Sequence, residues 1–343
     1  MVDFATLIHP TSSNLKSTQV SWSTSIKQRV SFTGLLTAAG ILACLATLVG
    51  FAGSFWWGFE LATHFRVQYA LALSGFALIL LALRQWRWSA LFGAFALSNL
   101  ALIAPAFWGD DSVTPTAEGQ PSLRALLANV NADNRDFERL QRLITASDPD
   151  LIVLLEATPW LLDRLRDLGQ RYPHRAAEPR DDLFGIALFS RHPLVQSQII
   201  RLGDAVGPPA IVATITADAR SFALIGVHPW PPVSADLAEG RNQQLRALAA
   251  RVRQSQVPLL VLGDLNLSPW SPWFTRLLAD SGLRDSRRGR GIQPSWPAGW
   301  WPLWIPIDHA LFSAGIHVRH REIGPAIGSD HYPVIVDFQV SGP

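Results

Sequence analysis

The chain has 343 residues, of which 48% are hydrophobic and 16% charged, with a net charge of +2. Soluble domains carry about 25% charged residues, so this composition points to a membrane-associated part beside a folded one. Disorder is excluded by the apolar content and small net charge. A disulfide framework and a cysteine-built zinc site are excluded because Cys44 is the only cysteine.

The apolar excess lies in the first third. After a mostly polar, basic segment at 1–29, no charged residue occurs over 30–59, 67–83 or 88–109. A membrane-crossing helix needs about 20 apolar residues, within a range of about 17–25. All three runs qualify, the middle one at the short limit. A buried soluble hairpin accounts for them poorly, because a small core cannot hide three such runs. A cleaved signal peptide is disfavoured because the first run is long, starts late and is followed by two more. Lys16, Lys27 and Arg29 flank the first run, and Arg84 and Arg87 separate the second from the third. Basic residues favour the cytoplasmic side. The reading is therefore a cytoplasmic segment at 1–29, three transmembrane helices within 30–109, a linker at 110–121, and a folded domain at 122–343 on the extracytoplasmic side. Trp56, Trp57, Trp86, Trp88 and Trp108 fall at span ends, where amphipathic rings prefer the interface. The lipid bilayer is thus the first expected partner; oligomeric state is not legible.

Beyond the linker, short β-rich runs alternate with amphipathic helical stretches. Strands are expected at 123–130, 151–155, 185–189, 210–215, 222–227, 259–262, 309–312 and 334–340. Helices are expected at 135–146, 160–169, 237–254 and 271–281. Many strands with few helices suggest packed sheets flanked by helices. From residue 112 onward there are 23 Arg, no Lys and 23 Asp plus Glu. That balance lacks the basic footprint of a general nucleic-acid binder. Arg284, Arg287, Arg288 and Arg290 form a local exception, read mainly as a solvated loop and secondarily as a phosphate site.

Polar residues recur where apolar strands finish: Asn129 and Asn131, Glu156, His228, Asp264 and Asn266, Asp308 and His309, then Ser329, Asp330 and His331 before the last strand. Singly each suits a turn; in succession they suggest one shared cleft. Carboxylate and amide oxygens suit a hard cation such as Mg²⁺ or Mn²⁺. Such a cation polarises a phosphoryl oxygen, and an imidazole moves protons near neutral pH. Metal-assisted hydrolysis of a phosphate ester is the chemistry implied.

These motifs carry a family resemblance. In order they are Asn129-Val-Asn131, Leu155-Glu156-Ala-Thr, Gly185-Ile-Ala-Leu-Phe-Ser190-Arg191, Val227-His228-Pro, Gly263-Asp264-Leu-Asn266, Ile307-Asp308-His309 and Gly328-Ser329-Asp330-His331-Tyr332-Pro333. Together they resemble the endonuclease/exonuclease/phosphatase superfamily over roughly residues 122–340. The resemblance implies the fold class of deoxyribonuclease I, a four-layered α/β sandwich of two mainly antiparallel sheets flanked by helices, here preceded by three transmembrane helices. It implies Glu156 and Asn129 as metal ligands and Asp330 as a second-metal or supporting acid. It implies Asp264 as the group that orients or activates water, with Asn266 holding phosphate. His331 matches the catalytic histidine, Asp308 its orienting carboxylate, and His228 an acid for the leaving group. Asn131, two residues beyond Asn129 on the same strand face, and Arg191, a weaker match at a variable position, are assigned to substrate.

The resemblance leaves the substrate open among lipids, small phosphoesters and nucleic acid. Four tryptophans within 296–304 (Trp296, Trp300, Trp301, Trp304) either contact the bilayer interface or pack as a loop on the sandwich. The alternative to an enzyme is a non-catalytic membrane binding protein that keeps the fold.

Overall fold

The computed structural model of the protein describes residues 31–109, 122–203 and 205–341. The segment expected at 1–29 and the linker at 110–121 lie outside the described residues.

Helix α1 (Phe32–Phe51) begins at Ser31, whose hydroxyl accepts the Gly34 amide, a standard N-cap that satisfies one otherwise unpaired donor. Helix α2 (Trp57–Leu61) passes through a short 3₁₀ turn into α3 (Arg66–Ala82), and α4 (Trp86–Ile103) follows. By length and composition, three helical stretches here are able to cross a membrane: Phe32–Phe51, Trp57–Ala82 and Trp86–Ala106. Their inward faces share a core of Cys44, Leu73, Leu80 and Phe92. Their outward faces are apolar and uncovered, with Leu42, Leu45, Leu71, Leu78 and Leu97 exposed, which is the pattern of a lipid-facing surface and not of a hairpin hidden in a soluble core.

The middle candidate span is 26 residues long, not the 17 of its uncharged run. Glu60 and Arg66 do not end it because both side chains are buried with partners. Arg66 donates through Nη1 to the Thr47 carbonyl at 3.0 Å and to Asn99 Oδ1 at 3.3 Å. Asn99 Nδ2 donates to Thr47 Oγ1 at 3.0 Å. All three helices are thereby pinned by one polar cluster.

The rest is a sandwich of two six-stranded sheets. The strands, in chain order, are β1 (Leu123–Asn129), β2 (Leu151–Leu155), β3 (His174–Glu178), β4 (Ile186–Ser190), β5 (Leu194–Arg201), β6 (Pro209–Ala217), β7 (Arg220–Val227), β8 (Leu259–Asp264), β9 (Arg284–Asp285), β10 (Asp308–Phe312), β11 (Ile316–Ile323) and β12 (Val334–Val340). One sheet runs β11-β12-β1-β2-β4-β3 and the other β5-β6-β7-β8-β10-β9. Two pairs are parallel, β1 with β2 and β7 with β8. Each needs a crossover helix: α5 (Phe137–Ser147) joins the first pair and α8 (Ala235–Arg253) the second. Both parallel pairs therefore end at the same edge of their sheets.

Alternation along the strands sends Leu127, Val153, Leu155, Leu224, Leu262 and Phe338 into the layer between the sheets. Residues of opposite parity pack on the helices. Leu126, Ile152 and Leu154 meet α5, together with α6 (Pro159–Arg164); Ile225 and Val261 meet α8 and α9 (Pro272–Ser281). A further short helix, α7 (Leu168–Arg171), leads into β3. The four layers anticipated for the sandwich are present.

Phe338 is fully buried and meets Phe222 edge-to-face at 5.5 Å between ring centres. Phe338→Ala is expected to destabilise the sandwich by about 3–5 kcal/mol, from lost transfer energy and the cavity left behind. Denaturant unfolding of the variant checks this; a loss below about 1 kcal/mol is inconsistent with the packing described.

Candidate active site

The polar residues at strand ends meet in one place. Asn129 closes β1, Glu156 follows β2, His228 follows β7 and Asp264 closes β8. Asp308 opens β10 directly opposite Asp264 in the antiparallel register. His331 precedes β12, and Ser329 holds that turn beside β1: its hydroxyl donates to the Asn129 carbonyl at 2.8 Å and accepts the His331 amide at 3.0 Å.

Asp264 is the hub. Its Oδ2 accepts from Asn129 Nδ2 at 3.3 Å and lies 3.5 Å from His228 Nε2 and 3.7 Å from His331 Nε2. Its Oδ1 accepts the Asn266 amide at 2.9 Å. Asn129 Nδ2 also donates to Glu156 Oε1 at 3.0 Å, and the Ala132 amide donates to Glu156 Oε2 at 3.0 Å. His331 Nδ1 and Asp308 Oδ2 form a 2.8 Å pair. The Asp308 amide donates to the buried Ser295 hydroxyl at 3.0 Å. Asn129, Glu156, His228, Asp264, Asp308 and His331 are all buried.

Backbone geometry singles out the same region. Asn131, Glu156 and Asn266 have φ of 59°, 59° and 54°. Asparagine tolerates the left-handed region; glutamate rarely visits it. Such a conformation costs about 1–3 kcal/mol and persists only where its surroundings impose it. At Glu156 the two donors on its carboxylate do so.

Burial and neighbouring charge set the protonation states. Burial opposes a charged His331, but Asp308 and Asp264 outweigh it and push the imidazole up to about 10. Burial also works against ionised Asp308, yet the His331 charge and hydrogen bond hold its pKa down. Burial and the repulsion of Asp308 push Asp264 above the usual carboxylate range. Burial raises Glu156, against the pull of the Ala132 and Asn129 donors. Burial and the His331 charge lower His228 to about 4. At neutral pH the proton therefore sits on His331, paired with Asp308, while His228 is neutral.

Asp330 lies at the exposed rim, with Oδ1 accepting from Asn131 Nδ2 at 2.8 Å and Oδ2 from Trp296 Nε1 at 3.1 Å. Asn266 Nδ2 donates to the Pro229 carbonyl at 3.0 Å. Arg191 is corrected: it does not reach the site. It follows β4, which runs antiparallel to β2 with Ser190 opposite Leu151. It therefore stands at the start of β2, a strand's length, roughly 15 Å, from Glu156. There it pairs with Asp148 and Asp150. The Arg284–Arg290 run is drawn into the fold: Arg287 pairs with Asp285 at 3.4 Å, both buried, and Arg290 donates to the Ser286 and Val318 carbonyls.

The sequence reading missed a contact from the helical hairpin. Glu60 and Arg241, both fully buried, pair at 2.5 Å. Ser271 Oγ donates to the other Glu60 oxygen at 2.6 Å. Arg241 also reaches the Asn266 carbonyl at 3.3 Å. His64 Nδ1 meets the Ser268 hydroxyl at 2.9 Å and accepts the Ser268 amide at 3.3 Å. The loop carrying Asp264 and Asn266 thus rests on the end of the apolar helices. A lone acid in an apolar stretch was the available signal; its partner 181 residues away was not.

The fold and this constellation define the class of protein to which the chain belongs. Residues 126–331 match the family described as Endonuclease/Exonuclease/phosphatase, and the chain belongs to that family. A comparison with curated proteins found no significant match. Among solved structures, the endonuclease/exonuclease/phosphatase from Bacteroides vulgatus is 18% identical, covers 65% of this chain and 100% of its own, and superposes with a TM-score of 0.55. The human Nocturnin catalytic domain with bound sulfate is 20% identical over 65% of this chain and 96% of its own, with a TM-score of 0.53. Humanized D. rerio TDP2 is 16% identical over 64% and 99%, also at 0.53. At these identities the likeness is one of fold.

Proposed function

We propose that the protein is a membrane-anchored, metal-dependent phosphoesterase that hydrolyses a phosphodiester or phosphomonoester by attack of water. The observation that carries this reading is the convergence of Asn129, Glu156, His228, Asp264, Asn266, Asp308 and His331 around one buried carboxylate. A non-catalytic binding protein has no need of a charged histidine–aspartate pair facing a raised aspartate.

The donor set fits a hard dication. Glu156, Asn129 and Asp264 offer oxygen ligands, and Asp264 and Asp308 stand as two buried carboxylates opposite one another. Asp264, Asp308 and His331 also bring three donor atoms within 4.8 Å of one another. His331 is charged and occupied by Asp308, so we assign Mg²⁺ or Mn²⁺ to the Glu156–Asn129 side, with Asp330 as a supporting acid at the rim. Bound there, the cation supplies Lewis-acid polarisation of the phosphoryl oxygen. Asp264, made more basic by its environment, accepts the proton of the attacking water. His331, held charged by Asp308, donates to the leaving oxygen, and neutral His228 orients the phosphate with Asn266. Nocturnin holds a sulfate anion and a D. rerio TDP2 structure holds a single-strand DNA product, which is compatible with a phosphate-binding cleft here.

Glu156→Gln removes a ligand charge while keeping the shape of the side chain. The Mg²⁺ concentration needed for half-maximal hydrolysis of bis-p-nitrophenyl phosphate is expected to rise at least tenfold. An unchanged Mg²⁺ dependence would remove Glu156 from the metal site.

The same reading places the sandwich outside the cytoplasm. The Gly291 amide donates to the Ala106 carbonyl and Gln68 Nε2 to the Trp304 carbonyl, so the sandwich meets the ends of the helices opposite Arg84 and Arg87. With those arginines cytoplasmic, the sandwich is not. A periplasm-active reporter fused at residue 343 is expected to be bright; a bright cytoplasmic reporter at that point reverses the topology.

A further inference from the structure

A cavity of about 440 Å³ lies between the spanning hairpin and the catalytic cluster. Trp57, Leu61 and His64 wall it from the hairpin, and Asn266 and His331 from the catalytic side. Pro231, Val233, Trp296 and Ile307 complete a largely apolar lining with no Lys or Arg in it. The three solved structures compared above cover 64–65% of this chain, about the share that the sandwich fills.

The surface around the cavity is apolar as well. Val233 on its lining is 70% exposed, and Trp300 and Trp301 are 65% and 71% exposed in the loop that starts at Trp296. That loop is tied to the first turn of α3 by the Gln68–Trp304 hydrogen bond. Exposed tryptophans beside the end of a spanning helix sit at headgroup depth. The two readings of the tryptophan run divide accordingly: Trp296 and Trp304 pack half-buried, while Trp300 and Trp301 face outward.

Resting on the phosphoesterase reading, we propose that this cavity binds the apolar side of a membrane lipid phosphate ester, taken from the bilayer with its phosphate at Asn266 and His331. The cavity is of ligand size and holds the part of the lipid next to the phosphate; the chains continue into the membrane. A nucleic-acid strand places phosphates on both sides of the scissile one and is held mainly through lysine and arginine, neither of which lines this cavity. In the reaction water adds its oxygen to phosphorus, the P–O bond to an alcohol of the lipid breaks, and the departing oxygen takes a proton.

The full chain in mixed detergent micelles tests this. The substrates are dioleoyl phosphatidylglycerol, phosphatidylethanolamine and phosphatidic acid, their water-soluble dibutyryl counterparts, a single-stranded oligonucleotide and bis-p-nitrophenyl phosphate. At least one dioleoyl ester is expected to be hydrolysed tenfold or more faster than its dibutyryl counterpart and than the oligonucleotide. Leu61→Asp and Val233→Asp are expected to lower the ratio of lipid to bis-p-nitrophenyl phosphate turnover at least tenfold; Val233, being exposed, can carry the charge without cost to folding. Equal rates for long and short chains, preference for the oligonucleotide, or an unchanged ratio in folded Val233→Asp overturns the lipid assignment while hydrolysis of bis-p-nitrophenyl phosphate keeps the phosphoesterase reading. No hydrolysis of any substrate removes both.

Discussion

Replacing His331 with alanine is expected to lower turnover of bis-p-nitrophenyl phosphate by about 10²–10⁴-fold, the range contributed by a positioned general acid or base. The residue is buried, paired with Asp308 at 2.8 Å, and faces Asp264 at 3.7 Å, and the proposed mechanism has it donate to the leaving oxygen. The variant removes a charge that both carboxylates compensate, leaving Asp264 and Asp308 without their shared cation. Binding of Mg²⁺ should therefore persist or tighten while turnover falls. Paired measurements of turnover and of Mg²⁺ affinity in one preparation separate this from a structural lesion. A His331→Ala protein with near wild-type turnover removes the residue from the mechanism.

A comparably large effect on stability is expected at the contact between the apolar helices and the sandwich. Glu60 and Arg241 are both fully buried, and removing one member of a buried pair typically costs about 3–5 kcal/mol because the other charge is left without compensation. Arg241→Met alone is expected to lower the thermal unfolding midpoint in detergent, followed by tryptophan fluorescence. Glu60→Gln combined with Arg241→Met should recover much of the loss, since two neutral groups fill the space without an uncompensated charge. A double variant no more stable than the single one means that the pair contributes by shape and not by charge.

The parts of the fold legible in the sequence were those whose burial dictates pattern. The strands β1, β2, β4, β7 and β8 are uniformly buried over most of their length and read as apolar runs. The strands β3, β5 and β11 were not anticipated. Two of them, β3 and β5, close sheet edges and β11 closes another; their solvent-facing residues, such as Gln196, Ser197 and Arg319, break the apolar pattern. β9 spans two residues and carries no periodic signal. Charged positions also misled the boundary of the middle span, because burial of Glu60 and Arg66 depends on partners far away in sequence.

The site was legible for the same reason that it converges: polar residues at the ends of buried strands have one edge to share. Arg191 failed that logic. It follows a buried strand too, but β4 runs antiparallel to β2, and strand direction decides which edge a strand end reaches. The hairpin's contribution through Glu60 and His64 was illegible because it is a tertiary contact without local pattern.

The most direct test of the central claim is hydrolysis of bis-p-nitrophenyl phosphate by the purified full chain, assayed with Mg²⁺, after chelation, and after Mg²⁺ is restored. The account expects turnover that chelation abolishes and Mg²⁺ returns. A folded protein that hydrolyses no phosphate ester in any of the three conditions, or one whose turnover chelation leaves untouched, contradicts it.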